Sequence, residues 1–165
     1  MKILQIVGPK NSGKTVHAEW LISELRNRGL KIGALKHSGH HHPIDRPGSD
    51  SFRLQKAGAN PTVFWSVDGL AVFYTNIVAE KTDQLLQTIF DGCDLVIIES
   101  FSQLQRPKLV IDPDSKQMKN FSNVIAVICE KNLNVYCPVF KKLDSDLVEF
   151  LLNYFDLPKS KSPEA

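Results

Sequence analysis

No uninterrupted apolar run in these 165 residues approaches the ~18–20 needed to cross a bilayer as a helix. Cysteine is scarce: Cys93, Cys129 and Cys137 stand in no pattern, which excludes a disulfide framework and is expected of a protein of the reducing cytoplasm. Charge of either sign is not in excess. Twenty basic and 18 acidic side chains leave +2, which excludes a strongly basic chain built to neutralise a nucleic-acid backbone. Met1–Val7 runs straight into a motif, so no signal peptide is expected. What is present is ordinary globular composition, 42% hydrophobic and 23% charged. The length suits one domain, expected over 1–157, with a mobile tail at 158–165.

Short β-branched runs alternate with stretches of helical spacing. Ile3–Val7 ends at Gly8, and Ala18, Leu21, Ile22 and Leu25 then recur at i, i+3, i+4 and i+7, the stripe of a helix lying on a sheet. Gly29 closes that helix and Lys31–Leu35 reads as a second strand, completing a βαβ unit. Ser49 to Ser51 open a short helix that stops at Gly58. Two apolar runs flank Asp68-Gly69, predicting a hairpin near 63–74. Thr82 is expected to cap a helix that turns Leu85, Leu86, Ile89 and Phe90 inward. Leu95–Ile98 and Val124–Cys129 are continuous apolar runs, as in strands covered on both faces, and Leu147, Val148, Leu151, Leu152 and Phe155 mark a last helix. The expected fold is α/β, with a mostly parallel twisted sheet, helices on both faces and the added hairpin.

Gly8-Pro9-Lys10-Asn11-Ser12-Gly13-Lys14-Thr15 matches G-x-x-x-x-G-K-[ST] without mismatch, between an apolar strand and an amphipathic helix. Glycines let successive backbone N–H groups converge on a phosphate, and the helix N-terminus adds its positive end. Gly8, Lys10, Asn11, Ser12, Gly13, Lys14 and Thr15 are therefore the candidate phosphate-binding residues. Lys14 would reach the β- and γ-phosphates and stabilise charge in any transfer, and Thr15 would ligate Mg²⁺. Glu99, at the end of Leu95–Ile98, is placed to hold the same metal through water. No Asn-Lys-x-Asp guanine motif is present, and Pro9 stands where dimeric ATPases of the ParA/MinD type carry a lysine. The loop thus predicts a nucleotide without naming its base.

Four of the five histidines fall in Lys36–His42. Neighbouring imidazoles on one loop seldom meet the fixed geometry of a zinc site, so a solvated loop and a metal site both stand as readings. Residues 25–56 carry seven basic and two acidic side chains, so this stretch holds +5 and the remainder −3. Its place after the second strand predicts an anion-binding edge beside the nucleotide.

These residues carry a resemblance. Asn11–Thr15, then Lys36-His37, His40, Asp45, Gly48, Asp50-Ser51, Arg53 and Ala57-Gly58-Ala59, resemble the paired motifs of the molybdopterin-guanine dinucleotide biosynthesis protein B (MobB) family. The match is dense over 3–60 and resumes at 94–101 and at Pro107-Lys108. One departure is Ser100, where the family usually has glycine between the acid and Phe101. The resemblance implies a cytoplasmic, homodimeric GTP- and Mg²⁺-binding accessory protein with weak GTPase activity. It would act with the guanylyltransferase that joins GMP to molybdopterin, without nucleic acid or membrane. It also supports Lys36, His37, His40 and Arg53 as contacts of GTP or molybdopterin phosphate, and Asp45 and Asp50, the acids interrupting this basic segment, are expected to orient a base, a water or Mg²⁺. Two other classes stay open: a phosphate-loop small-molecule kinase, whose lid would lie at Arg106, Lys108 and 114–119, and a metallochaperone GTPase using the histidines.

Overall fold

The computed structural model describes residues 1–114 and 118–159. Residues 115–117 of the lid stretch and 160–165 of the expected tail lie outside them. The chain forms two compact units, one of residues 1–39 with 90 onward, the other of 40–89. The composition of 1–157 signals no boundary at either junction.

The first unit holds a six-stranded sheet in the order β2-β5-β1-β6-β7-β8. Its strands are β1 (Ile3–Val7), β2 (Ile32–Lys36), β5 (Leu95–Glu99), β6 (Lys108–Ile111), β7 (Val124–Ile128) and β8 (Val139–Phe140), and every pairing is parallel. β1 is central, flanked by β5 and β6, and all of its residues are buried. Its side chains divide by strand alternation. Leu4 and Ile6 join α1 (Lys14–Asn27) and α4 (Ser145–Tyr154) through Leu21, Leu25, Leu147 and Leu151. Ile3 packs on the opposite face with Val96 and Ile98, and Val7 with Val110 and Val127. This two-sided burial is why the strands read as unbroken apolar runs. Parallel strands on both sides of β1 bring its carboxyl end, and the loop after it, to the ligand edge of an open α/β sheet.

The second unit contains α2 (Asp50–Lys56), β3 (Thr62–Ser66), β4 (Gly69–Phe73) and α3 (Ala79–Ile89). The Ser49 hydroxyl accepts the Phe52 N–H at 3.2 Å and caps α2, as expected. The hairpin is antiparallel, but Gly69 pairs with Ser66, so the two-residue turn is Val67-Asp68 rather than Asp68-Gly69. α3 begins three residues before Thr82, whose hydroxyl donates to the Val78 carbonyl at 3.4 Å from inside the helix. Of its expected inward residues Leu86 is buried, whereas Ile89 is 57% exposed. The 3.6-residue stripe there identified the helix and overstated how much of it is covered.

Candidate functional site

Three helix beginnings behave differently, and the difference locates the site. Ser49 caps α2, and Asp144 caps α4 by accepting the Asp146 N–H. Among the described residues no side chain caps α1, its first turn holds no acid, and Gly13 precedes it in the left-handed conformation. The N–H groups opening an α-helix have no partner within it. At α1 neither a capping side chain nor a first-turn acid offsets the positive end of the helix, the electrostatic condition for binding an anion.

The loop is held against the sheet by close backbone approach. A Cβ on Gly8, at φ +152°, would sit 2.4 Å from the Ile111 carbonyl oxygen of β6. Asn11 is also left-handed, at φ +62°. The Lys14 ammonium donates to the carbonyls of Gly8 and Pro9 within the loop. Burial lowers the Lys14 pKa below the usual 10.5; the Glu99 carboxylate opposes that shift and Lys36 adds to it.

Glu99 is where three elements meet. It ends β5, is buried, and pairs in register with Ile6 and Lys36 on the neighbouring strands. The Thr15 hydroxyl donates to one carboxylate oxygen at 3.0 Å, and the Lys36 ammonium to the other at 2.7 Å. A hydroxyl and a carboxylate are hard oxygen donors of the kind Mg²⁺ takes while keeping several waters, so this pair fits that ion. Lys36 thus meets the carboxylate directly. His37 follows: its N–H donates to the Glu99 carbonyl at 3.0 Å, and its ring stacks on Phe101 with centroids 4.0 Å apart and planes 7° apart. The first unit therefore brings together Lys14, Thr15, Lys36, His37 and Glu99. His40, Asp45, Asp50 and Arg53 belong to the second unit. There Asp45 accepts from the Arg46 N–H, the Ser49 hydroxyl and the Gln55 amide, which orders the entry to α2. Asp50 and Arg53 form an exposed pair at 3.6 Å. Among the described residues, no group of three or more His, Cys, Asp or Glu is placed to hold a metal ion, and no helix is long and apolar enough to cross a membrane.

The segment after Glu99 is held by two buried polar side chains, Gln5, which motif reading passed over, and Lys108, whose part here differs from the lid expected of it. Gln5, in the middle of β1, donates to the Phe101 carbonyl at 2.6 Å. Lys108, fully buried at the start of β6, donates to the Leu104 carbonyl at 2.7 Å and the Arg106 carbonyl at 3.3 Å. Burial lowers the Lys108 pKa by taking the ammonium out of water. A glutamine inside an otherwise apolar strand was the available signal, since a buried amide requires a partner.

Ser100 and Phe101 are both left-handed, at φ +72° and +60°. Position 100 is therefore where glycine would be free of strain, and serine is held there by its N–H bond to the Ile6 carbonyl at 2.8 Å. Ser100→Gly is expected to stabilise the protein by about 0.5–1 kcal/mol, the relieved strain exceeding glycine's greater freedom when unfolded. Thermal unfolding checks this: a midpoint raised by about 1–3 °C is expected, and a lowered one contradicts the strain.

A parallel α/β sheet with its glycine-bounded loop at the end of the central strand defines the class, the phosphate-loop α/β domains. Comparison with known proteins takes this further. The family model for molybdopterin guanine dinucleotide synthesis protein B matches residues 3–130. The Escherichia coli molybdopterin-guanine dinucleotide biosynthesis adapter protein is 31% identical over 81% of this chain and 81% of its own length. A Bacillus subtilis protein named as a probable adapter of the same kind is 31% identical over 92% of this chain and 91% of its own. The crystal structure of Bacillus subtilis MobB superposes with a TM-score of 0.74 at 28% identity, covering 98% of this chain and 99% of that one. This chain belongs to the MobB family.

Proposed function

We propose that this chain is a GTP-binding adaptor of molybdenum cofactor biosynthesis, assisting a guanylyltransferase that attaches GMP to molybdopterin. The observation that carries the reading is the uncapped start of α1 behind the Gly8–Thr15 loop, with Thr15 and Glu99 3.0 Å apart beside it. In this reading the loop N–H groups and Lys14 hold the β- and γ-phosphates. Lys14 exchanges the loop carbonyls for phosphate oxygens, a stronger charge-assisted interaction. Thr15 ligates Mg²⁺ directly and Glu99 holds it through water, with Lys36 released from the carboxylate toward phosphate. Within the first unit, Lys36 and His37 serve an anionic ligand. Hydrolysis is slow, because neither an arginine finger nor a water-orienting glutamine is recognisable in the motifs. The protein works as a cytoplasmic homodimer, and the names of its relatives support the adaptor role.

Reconstituted guanylylation tests this. Adding the protein to the guanylyltransferase, molybdopterin, GTP and Mg²⁺ is expected to raise the yield of molybdopterin guanine dinucleotide, and Lys14→Ala to remove the gain. An unchanged yield with the folded wild-type protein would remove the adaptor role.

Glu99→Gln keeps shape and removes the charge. It is expected to weaken GTP binding about tenfold in Mg²⁺ and by much less in chelator, the loss of one charge-assisted contact. Equal effects in the two buffers would take Glu99 away from the metal. Folding should change little, since its Lys36 partner is 65% exposed and an ion pair with a well-solvated member contributes little.

A further inference from the structure

His17 is 1% exposed and lies in the first turn of α1, outside every motif that pointed to the loop. The Gly13 carbonyl accepts two hydrogen bonds from this one residue: the His17 backbone N–H at 3.0 Å and the ring Nδ1 at 2.9 Å. A carbonyl is only an acceptor, so Nδ1 is the donor and Nε2 is the ring nitrogen left over. That Nε2 is buried and has no hydrogen-bond partner among the described residues. A histidine kept only to fill space is poorly suited to this position, because an apolar side chain would avoid the unpaired nitrogen. What the histidine adds is the second bond to Gly13.

The bond matters through the geometry of the peptide. The Gly13 carbonyl and the Lys14 N–H belong to one planar unit and point in opposite directions, so fixing the first aims the second. Gly13 is left-handed, at φ +86°, and lacks the Cβ that would restrict rotation of this unit. The Lys14 N–H is also the first donor of the helix that no side chain caps. The helix bond alone holds the carbonyl by one contact; the imidazole holds it from the side by a second.

We infer that His17 is a positioning residue of the phosphate loop: its Nδ1–H bond to the Gly13 carbonyl fixes the Gly13–Lys14 peptide so that the Lys14 N–H is aimed at a nucleotide phosphate. The inference rests on the nucleotide-binding reading above and adds a residue to it. His17 touches neither ligand nor metal in this role and acts only through the backbone.

Two variants separate positioning from packing. His17→Leu keeps an apolar side chain of similar bulk and removes the donor. His17→Asn carries an amide N–H on Cγ, where Nδ1 sits in histidine, and restores the bond with less volume. GTP·Mg²⁺ titration is expected to show His17→Leu weakened about tenfold and His17→Asn within about threefold of wild type, the signature of one lost oriented donor. The Lys14 backbone amide resonance of the free protein is expected to shift and broaden in His17→Leu and to stay near its wild-type position in His17→Asn. Thermal stability should order the other way, with His17→Leu at least as stable as His17→Asn, because asparagine leaves the cavity. Wild-type affinity in His17→Leu, or a GTP loss in His17→Asn as large as in His17→Leu, would overturn the inference while leaving the nucleotide reading intact. A wild-type protein that binds no GTP would overturn both.

Discussion

Lys14→Ala is expected to weaken GTP binding by at least about a hundredfold, the loss of an ammonium that donates to two phosphates in a partly dehydrated loop. It should not weaken the fold. Among the described residues the Lys14 side chain donates to the Gly8 and Pro9 carbonyls alone, and burial already depresses its pKa. A lysine whose folded-state pKa is lowered costs stability while charged, and the cost is relieved as pH rises through that value toward 10.5. Removing the side chain therefore leaves the unfolding midpoint at neutral pH unchanged or slightly raised. The same shift gives a pH signature for binding. GTP requires the ammonium form, so affinity is level through neutral pH and falls as pH rises through the Lys14 pKa of the free protein, below the ordinary lysine range. Calorimetric titration across alkaline pH checks both statements. An affinity that Lys14→Ala leaves untouched would place the nucleotide elsewhere.

Gly8→Ala acts on the loop from behind and is expected to damage both binding and stability. The added methyl would lie 2.4 Å from the Ile111 carbonyl oxygen and 3.0 Å from the Ser12 hydroxyl, at a φ of +152° that residues with side chains rarely adopt. The first obstacle is the backbone of a buried strand, which cannot rotate aside as a side chain can. A loss of about 2–4 kcal/mol follows from strain and displacement together, lowering the unfolding midpoint by about 10 °C. GTP binding should be lost as well, since the loop must lift from β6 to admit the methyl. A variant with wild-type midpoint and affinity would show that Gly8 does not approach β6 as described.

The two substitutions mark what could be read in the sequence and what could not. The loop, the strand before it and the helix after it were legible because they are local: eight consecutive residues state their chemistry, and α1 announces its buried face by spacing. Glu99 was legible too, as an acid closing a run apolar enough to be a central strand. The pair Lys36–Glu99 was not, although each residue was singled out, because no spacing shows that β2 and β5 are neighbours 63 residues apart. Gln5 holding Phe101 spans 96 residues and was hidden for the same reason. Lys108 was seen as part of a motif and considered for a lid, whereas its ammonium is spent inside the fold on backbone carbonyls. Ser100 shows the opposite case: the departure from the family's glycine falls where the backbone is left-handed, at φ +72°. The hairpin turn missed by one residue because Asp-Gly is a strong turn signal, yet Gly69 serves in a strand pair here.

The measurement that bears most directly on the central claim is calorimetric titration of the full chain with GTP and with ATP, each in Mg²⁺ and in chelator. GTP is expected to bind once per chain, tighter in Mg²⁺ than in chelator and tighter than ATP, and Lys14→Ala to abolish the heat under the same conditions. No saturable GTP binding by folded wild-type protein, or tighter binding of ATP than of GTP, would contradict the account.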